Sequence, residues 1–123
     1  MRHILIKKGA ELLLIPPGKL VYIQAEGNYC HIYTLDNRSR LVAYQLGQLE
    51  DMIVDQLRDE GTRFTRLGRG LIINTDFIHL IDVTKQQLIL SDCAGCYHEL
   101  TASKEVLIKL KAYIESLVSG KKS

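Results

Sequence analysis

Turn residues divide most of this chain into short segments of strand character, rich in Val, Ile, Leu and Tyr, and this division limits the fold more than any other feature. Helical periodicity recurs in only two places. Because strands do not alternate with helices along the chain, a parallel βαβ architecture is disfavoured and a mostly β fold with two helices is predicted. The predicted strands are residues 4–6, 12–15, 20–37 with a break at 26–28, 39–44, 71–73, 77–83, 87–91 and 97–101.

The two predicted helices are both amphipathic. In the middle of the chain, apolar residues recur at three- and four-residue intervals and predict a helix over 46–59 that Gly61 ends. Its opposite face is acidic, so phosphate would repel it and we do not expect this helix to read DNA. The second helix is predicted over 104–118, with Ser103 as its N-cap and an apolar stripe that packs on the core.

The length of 123 residues predicts one domain, which we assign to residues 1–118, followed by a solvated C-terminal tail at 119–123. The longest apolar runs are too short to span a membrane. Charged residues interrupt the apolar N-terminal stretch, and no cleavage site of the signal-peptide type follows it. We therefore expect a cytoplasmic protein.

Recognisable catalytic sequence motifs are lacking, and we expect neither an enzyme nor a cofactor nor a small-molecule substrate. The Cys93–Cys96 pair forms a CxxC motif, but a zinc site of the usual kind would need a second pair. Ala94 and Gly95 between the cysteines are typical of a hairpin turn. A structural turn is therefore favoured over a redox or metal site.

Three arginines, Arg63, Arg66 and Arg69, stand within seven residues without an acidic residue among them. Gly68 and Gly70 flank the last arginine, and an apolar run follows immediately. Guanidinium groups on a loop held by core residues suit phosphate oxygens and guanine edges. A solvated turn whose arginines pair with the acidic helix explains the same residues equally well, so these features alone leave both interpretations open.

The order of four stretches resembles the LytTR family of DNA-binding domains in bacterial transcription regulators. They are LVYIQAEGNYCHIYTLDN at 20–37, YQLGQLEDMI at 44–53, FTRLGRGLIINTDFIHLID at 64–82 and LTASKEVLIKLK at 100–111. The resemblance extends over about residues 11–117. The most distinctive part is the Phe-x-Arg segment that ends in Val-Asn in the family and in Ile73-Asn74 here.

The resemblance implies an elongated β fold of three small antiparallel sheets with flanking helices. It also implies a transcription regulator that binds double-stranded DNA, usually at direct repeats in promoters, and a homodimer assembled on such DNA. LytTR domains insert loops, and not a recognition helix, into successive major grooves. The alternative is a domain that keeps the LytTR fold as a protein-interaction module and has lost sequence-specific reading.

The family motifs assign the candidate DNA-binding residues to three segments. Arg69 matches the position that reaches base edges, in a loop with Gly68 and Gly70, whereas Arg66 is expected to reach phosphate or to brace that loop. The second segment supplies Asn28 and His31, and the third supplies Ser103 and Lys104. Asn74 is expected to brace a turn.

Four positions depart from the family pattern. Gly70 replaces a common Ser and lacks its hydroxyl, and Gly68 stands where His or Ser is frequent. Lys104 replaces Arg and cannot make the paired hydrogen bonds of a guanidinium, while Gln24 replaces Glu. These departures concern sequence preference and affinity more than the fold.

Overall fold

A computed structural model describes the backbone of residues 3–120 and the side chains of residues 3–118. The residues form two compact units, one ending at Asp76 and the other beginning at Phe77. The first unit contains β1 (Ile4–Lys8), β2 (Glu11–Ile15), β3 (Leu20–Glu26), β4 (Tyr29–Thr34), β5 (Ser39–Val42), α1 (Leu46–Leu57), β6 (Phe64–Leu67) and β7 (Leu71–Asn74). The second contains β8 (Ile78–Asp82), β9 (Gln87–Ser91), β10 (Tyr97–Thr101) and α2 (Lys104–Gly120).

Three antiparallel sheets are present within residues 3–120. Strands β1 and β2 form a two-stranded sheet, and the order β5-β4-β3-β7-β6 forms a five-stranded sheet. Side chains alternate between the two faces of the sheet along the central strands, so Ile23, Ile32 and Ile72 all point into one hydrophobic core. The apolar stripe of α1 packs into the same core, which confirms the predicted amphipathic helix. Its buried residues are Leu46, Leu49, Ile53 and Leu57.

The end of α1 differs from the prediction. The helix stops at Leu57 and not at residue 59, and short 3-10 turns follow over Arg58–Arg63. Arg58, and not Gly61, adopts the positive φ, at 56°. A Cβ at Gly61 would lie 3.4 Å from the carbonyl oxygen of Ile53, which is ordinary van der Waals contact. The prediction that Gly61 ends the helix is therefore wrong.

Strand β6 was not predicted. The arginine-rich segment was expected to form a loop, but Phe64–Leu67 pairs with Leu71–Asn74 in a regular antiparallel register. This edge strand buries only Leu67 fully, so its sequence lacks the apolar alternation of a half-buried strand. The loop is therefore confined to residues 68–70.

The second unit combines the three-stranded sheet β10-β9-β8 with α2. Leu88 and Leu90 of β9 are fully buried, as is Leu107 of α2. The apolar stripe of α2 is buried only in its first half, because Leu117 is 45% exposed. The helix continues to Gly120, two residues beyond its predicted end. Of the predicted tail, residues 121–123 lie outside the described residues.

Within residues 3–120, no helix combines the length and the apolarity needed to cross a membrane.

Asn74 joins three segments of the first unit. It is the one fully buried polar side chain found in the described part of the chain. Its Nδ2 donates hydrogen bonds to the carbonyls of Leu20 at 2.9 Å and Pro17 at 3.4 Å. Its Oδ1 accepts one from the N–H of Asp76 at 2.9 Å. The predicted bracing role of Asn74 is thereby confirmed.

Replacement of Asn74 by Ala is expected to lower the free energy of unfolding by at least about 2 kcal/mol, because buried backbone groups lose their partner. Urea denaturation measures this change. Asn28→Ala, at an exposed loop residue, is the control and is expected to change stability by less than about 0.5 kcal/mol. Equal stability of the two variants would show that the buried amide does not hold these segments together.

Candidate nucleic-acid interface

Two hairpin loops, residues 27–28 and 68–70, lie at the same end of the five-stranded sheet. Strands β3 and β7, which lead into and out of these loops, are neighbours in the sheet. The backbone N–H of Ala25 donates a hydrogen bond to the carbonyl of Gly70 at 2.9 Å. The fold therefore brings the first and second predicted contact segments together. We call this end of the sheet, with both loops, the loop edge.

Arg66 braces the 68–70 loop from within the protein. Its Nη1 lies 2.9 Å from Oε1 of Glu50 on α1, and its Nε donates a hydrogen bond to the carbonyl of Gly68 at 3.1 Å. The side chain of Arg66 is 31% exposed, so water screens this pair only in part. Of the two roles predicted for Arg66, the structure supports bracing. The acidic residue Glu50 was not predicted to take part in the site.

The loop itself presents Arg69. Gly68 has a φ of 61°, a conformation that a residue with a Cβ adopts only at a cost. Gly70 has an ordinary φ, and a Cβ built there would meet no atom within 4 Å. Arg69 between them is exposed, and its guanidinium makes no ion pair or hydrogen bond with the described residues. This arrangement leaves the donors of Arg69 available on a short, anchored turn.

The second loop places a carboxylate beside the predicted contact residues. Gly27 has a φ of 61°, and Asn28 is exposed at the tip. His31 is farther along β4, where its Nε2 shares a hydrogen bond with Oε1 of Glu26. The Glu26 side chain is 69% exposed. Sequence reasoning missed Glu26, although its position directly before the hairpin glycine would place it at the tip of the strand.

Ser103 and Lys104 belong to the second unit, at the start of α2. The Ser103 hydroxyl accepts a hydrogen bond from the N–H of Val106 at 3.2 Å, which confirms the predicted N-cap. Lys104 is the first helical residue and is exposed. The N-terminal end of a helix favours anions, and the ammonium group of Lys104 adds a positive charge there.

The Cys93–Cys96 segment is a turn between β9 and β10, as predicted. The carboxylate of Asp92 accepts hydrogen bonds from the N–H groups of Ala94 and Cys96, both at 2.9 Å. These bonds, that of Cys96 first, hold the pKa of Asp92 below its ordinary value. Among the described residues, no group of three or more His, Cys, Asp or Glu side chains is arranged to hold a metal ion.

The thiols of Cys30 and Cys96 are both buried. Burial raises the pKa of each above its ordinary value, which disfavours the thiolate that reacts with oxidants and electrophiles. For Cys30, which lies in the second contact segment, Arg66 lowers the pKa by a smaller amount. The buried thiol of Cys30 therefore behaves as a small apolar core group.

Comparison with known proteins agrees with this architecture. A solved LytTr DNA-binding domain, from a Bacillus cereus protein described as a methyl-accepting/DNA response regulator, superposes with a TM-score of 0.60. The alignment covers 96% of this chain and 97% of that domain at 18% identity, so the likeness shows the fold. Among curated proteins, no sequence matches significantly.

The LytTR family, described as the LytTr DNA-binding domain, matches residues 10–115, which is most of the chain. The protein therefore belongs to the LytTR family of DNA-binding domains, and the resemblance inferred from its motifs is confirmed.

Gly68 and Gly70 provide a matched pair of substitutions within one loop. Gly68→Ala is expected to lower the free energy of unfolding by about 1–2 kcal/mol, because its φ is positive. Gly70→Ala is expected to leave it unchanged or to raise it by roughly 0.5 kcal/mol. Thermal or urea denaturation compares the two. A Gly70 variant as destabilised as the Gly68 variant would contradict the described loop conformation.

Proposed function

We propose that this domain is a transcription regulator that binds double-stranded DNA with sequence specificity through the loop edge. The observation that carries the proposal is Arg69, an exposed guanidinium without a partner, presented on a loop that Arg66 and β7 hold in place. Because the loop backbone is already held in place, binding costs little further ordering of the backbone, although the Arg69 side chain itself must still be ordered.

In the proposed complex, the 68–70 loop enters a major groove, and Arg69 donates two hydrogen bonds to O6 and N7 of a guanine. The backbone at Gly68 and Gly70 allows the loop to approach the groove wall closely. Helix α1 stays outside the grooves, because its solvent face carries Asp51 and Asp55 and phosphate would repel them.

The second loop is proposed to contact the same DNA site. The Asn28 amide, at the exposed tip, can pair with an adenine edge or a phosphate. His31 is less free, because it shares a hydrogen bond with Glu26. A carboxylate near DNA repels phosphate, so Glu26 is expected to weaken non-specific binding. The Glu26 carboxylate can also accept a hydrogen bond from N4 of a cytosine. Repulsion of phosphate and recognition of cytosine would both raise the ratio of specific to non-specific affinity.

The start of α2 is proposed as the third contact, with Lys104 and the helix N-terminus binding phosphate. Since Lys lacks the guanidinium fork, Lys104 supplies charge more than base discrimination. By analogy with the family, the three segments engage successive major grooves, and two copies bind direct repeats in a promoter as a homodimer on DNA. A DNA partner also implies a cytoplasmic protein.

The second candidate function is a protein-interaction module that has lost sequence-specific reading. It is favoured by Glu26 at the loop edge and by Gly70, which supplies no hydroxyl to a phosphate. The formal net charge of +2 is also small for a DNA-binding protein. A titration with random duplex DNA at low salt separates the two functions, because an interaction module would not be retained.

Arg69→Ala is expected to weaken binding to a selected duplex by about ten-fold to a hundred-fold, because one bidentate guanine contact is lost. Binding to a scrambled duplex should fall only slightly, since phosphate contacts remain. Fluorescence anisotropy with both duplexes measures the two affinities. Lys7→Ala, which removes one exposed positive charge from β1, is the matched control. An equal loss of affinity for both duplexes would show that Arg69 contacts phosphate and does not read a base.

Glu26→Gln is expected to raise affinity for a scrambled duplex by a few-fold at low salt, because the repulsion of phosphate is removed. The ratio of specific to non-specific affinity should fall in the same variant. Glu11→Gln, at an exposed carboxylate of β2, makes the same change of net charge outside the loop edge and should leave the ratio unaltered. Identical behaviour of the two variants would mean that Glu26 acts only through net charge.

A further inference from the structure

A groove of about 510 Å³ lies in the first unit, at the end of the five-stranded sheet opposite the loop edge. Its apolar lining includes Leu13, Leu14 and Pro16 from β2 and the residue after it, and Leu35 from the β4–β5 turn. Its rim carries Lys19 and Arg40. We call these six residues the β2 groove. Its volume is within the range of known ligand sites.

The unpaired charges of the β2 groove are positive. Lys19 and Arg40 are both exposed, and neither forms an ion pair within the described part of the chain. Asp36 also lines the groove, but Oδ1 of its carboxylate accepts hydrogen bonds from the Thr34 hydroxyl at 2.6 Å and the N–H of Arg38 at 3.2 Å. Oδ2 of the same carboxylate lies 3.9 Å from Nε of Arg38, so a neighbouring cation offsets the charge of Asp36. Lys19 and Arg40 are then the unpaired charges that attract an anionic partner.

Two unpaired strand edges adjoin the β2 groove. In the described residues, β2 pairs only with β1, and β5 pairs only with β4. Leu13 and Leu14 come from β2, while Arg40 comes from β5. Such edges present unpaired N–H and C=O groups and accept an added strand. Leu14 is 54% exposed, and Leu12 of the same strand is 56% exposed, so apolar side chains are available beside this open strand edge.

We propose that the β2 groove binds an extended, acidic peptide segment of a partner protein, which adds as a strand to the edge of β2. In an extended strand, alternate side chains point to opposite sides. The apolar side chains on one side of the peptide contact Leu14 and Leu35. The carboxylates on its other side form ion pairs with Lys19 and Arg40. The main-chain hydrogen bonds supply affinity, and the charges select acidic over basic segments.

The site is compatible with an occupied loop edge. Strand β3 begins at Leu20, next to Lys19 of the groove, and ends at Glu26 beside the hairpin loops. A strand of this length spans roughly 20 Å, which is the separation between the groove and the two hairpin loops. The proposal goes beyond DNA binding and does not depend on it, because peptide binding is measured without DNA.

The test uses an array of seven-residue peptides in which Val, Leu or Ile alternates with Glu or Asp, and a matched array with Lys at the acidic positions. Fluorescence anisotropy with the whole chain ranks them. Amide chemical shifts of the isotopically labelled protein locate the binding site. We expect the best acidic peptides to bind at least about ten-fold more tightly than their basic counterparts, with the shifts confined to β2, residues 16–19, β5 and the β4–β5 turn.

The double variant Lys19→Ala/Arg40→Ala is expected to weaken the best acidic peptide by about ten-fold. Lys85→Ala/Lys109→Ala removes the same charge from the second unit and should leave the affinity unchanged. Binding without a preference for acidic peptides would overturn the proposal, as would shifts centred elsewhere. It would equally be overturned if no acidic peptide bound, or if the chain dimerised through this groove, as sedimentation would show.

Discussion

The hydrogen bonds of Arg66 are the interaction on which the loop edge depends. They connect α1, through Glu50, to the carbonyl of Gly68, and so fix the loop that carries Arg69. The contact is charge-assisted and half-buried, so it is stronger than a solvated surface pair. A single guanidinium thus joins the helix to the tip of a hairpin whose strand β7 is already anchored in the core.

This contact separates the arginines of the basic segment, for which the sequence left two interpretations open. Pairing with the acidic helix applies to Arg66, and contact with DNA remains the proposal for Arg69. Arg66 pairs with the acidic helix, as that interpretation expected, whereas Arg63 lies 3.6 Å from Asp76, which is outside the helix. Only Arg69 extends into solvent without a partner. In this segment Arg63 and Arg66 form ion pairs within the protein, whereas Arg69 is available to a partner. The spacing of the three arginines in the sequence does not distinguish these roles.

The sequence predicted what periodicity and turn chemistry determine. The two helices, the break at 26–28 and the N-cap at Ser103 follow from local sequence, and the structure has them at nearly the predicted bounds. Strand β6 was missed because an edge strand with Thr65 and Arg66 on it lacks apolar alternation. The role of Glu50 depends on Arg66, which only tertiary folding brings near, whereas Glu26 and its partner His31 belong to one hairpin. The β2 groove is likewise assembled from three separate segments, so no single stretch of sequence could indicate it.

The loop edge combines one free guanidinium with a carboxylate, and Gly70 adds no phosphate-binding hydroxyl. This composition predicts modest affinity and a strong dependence on the correct base sequence, because phosphate attraction is limited and base contacts must supply the difference.

The most direct measurement is a binding selection from random duplex DNA at two salt concentrations. We predict enrichment of a short motif that contains guanine and is repeated about one helical turn apart. Absence of any enriched motif, with no DNA retained even at low salt, would contradict the account.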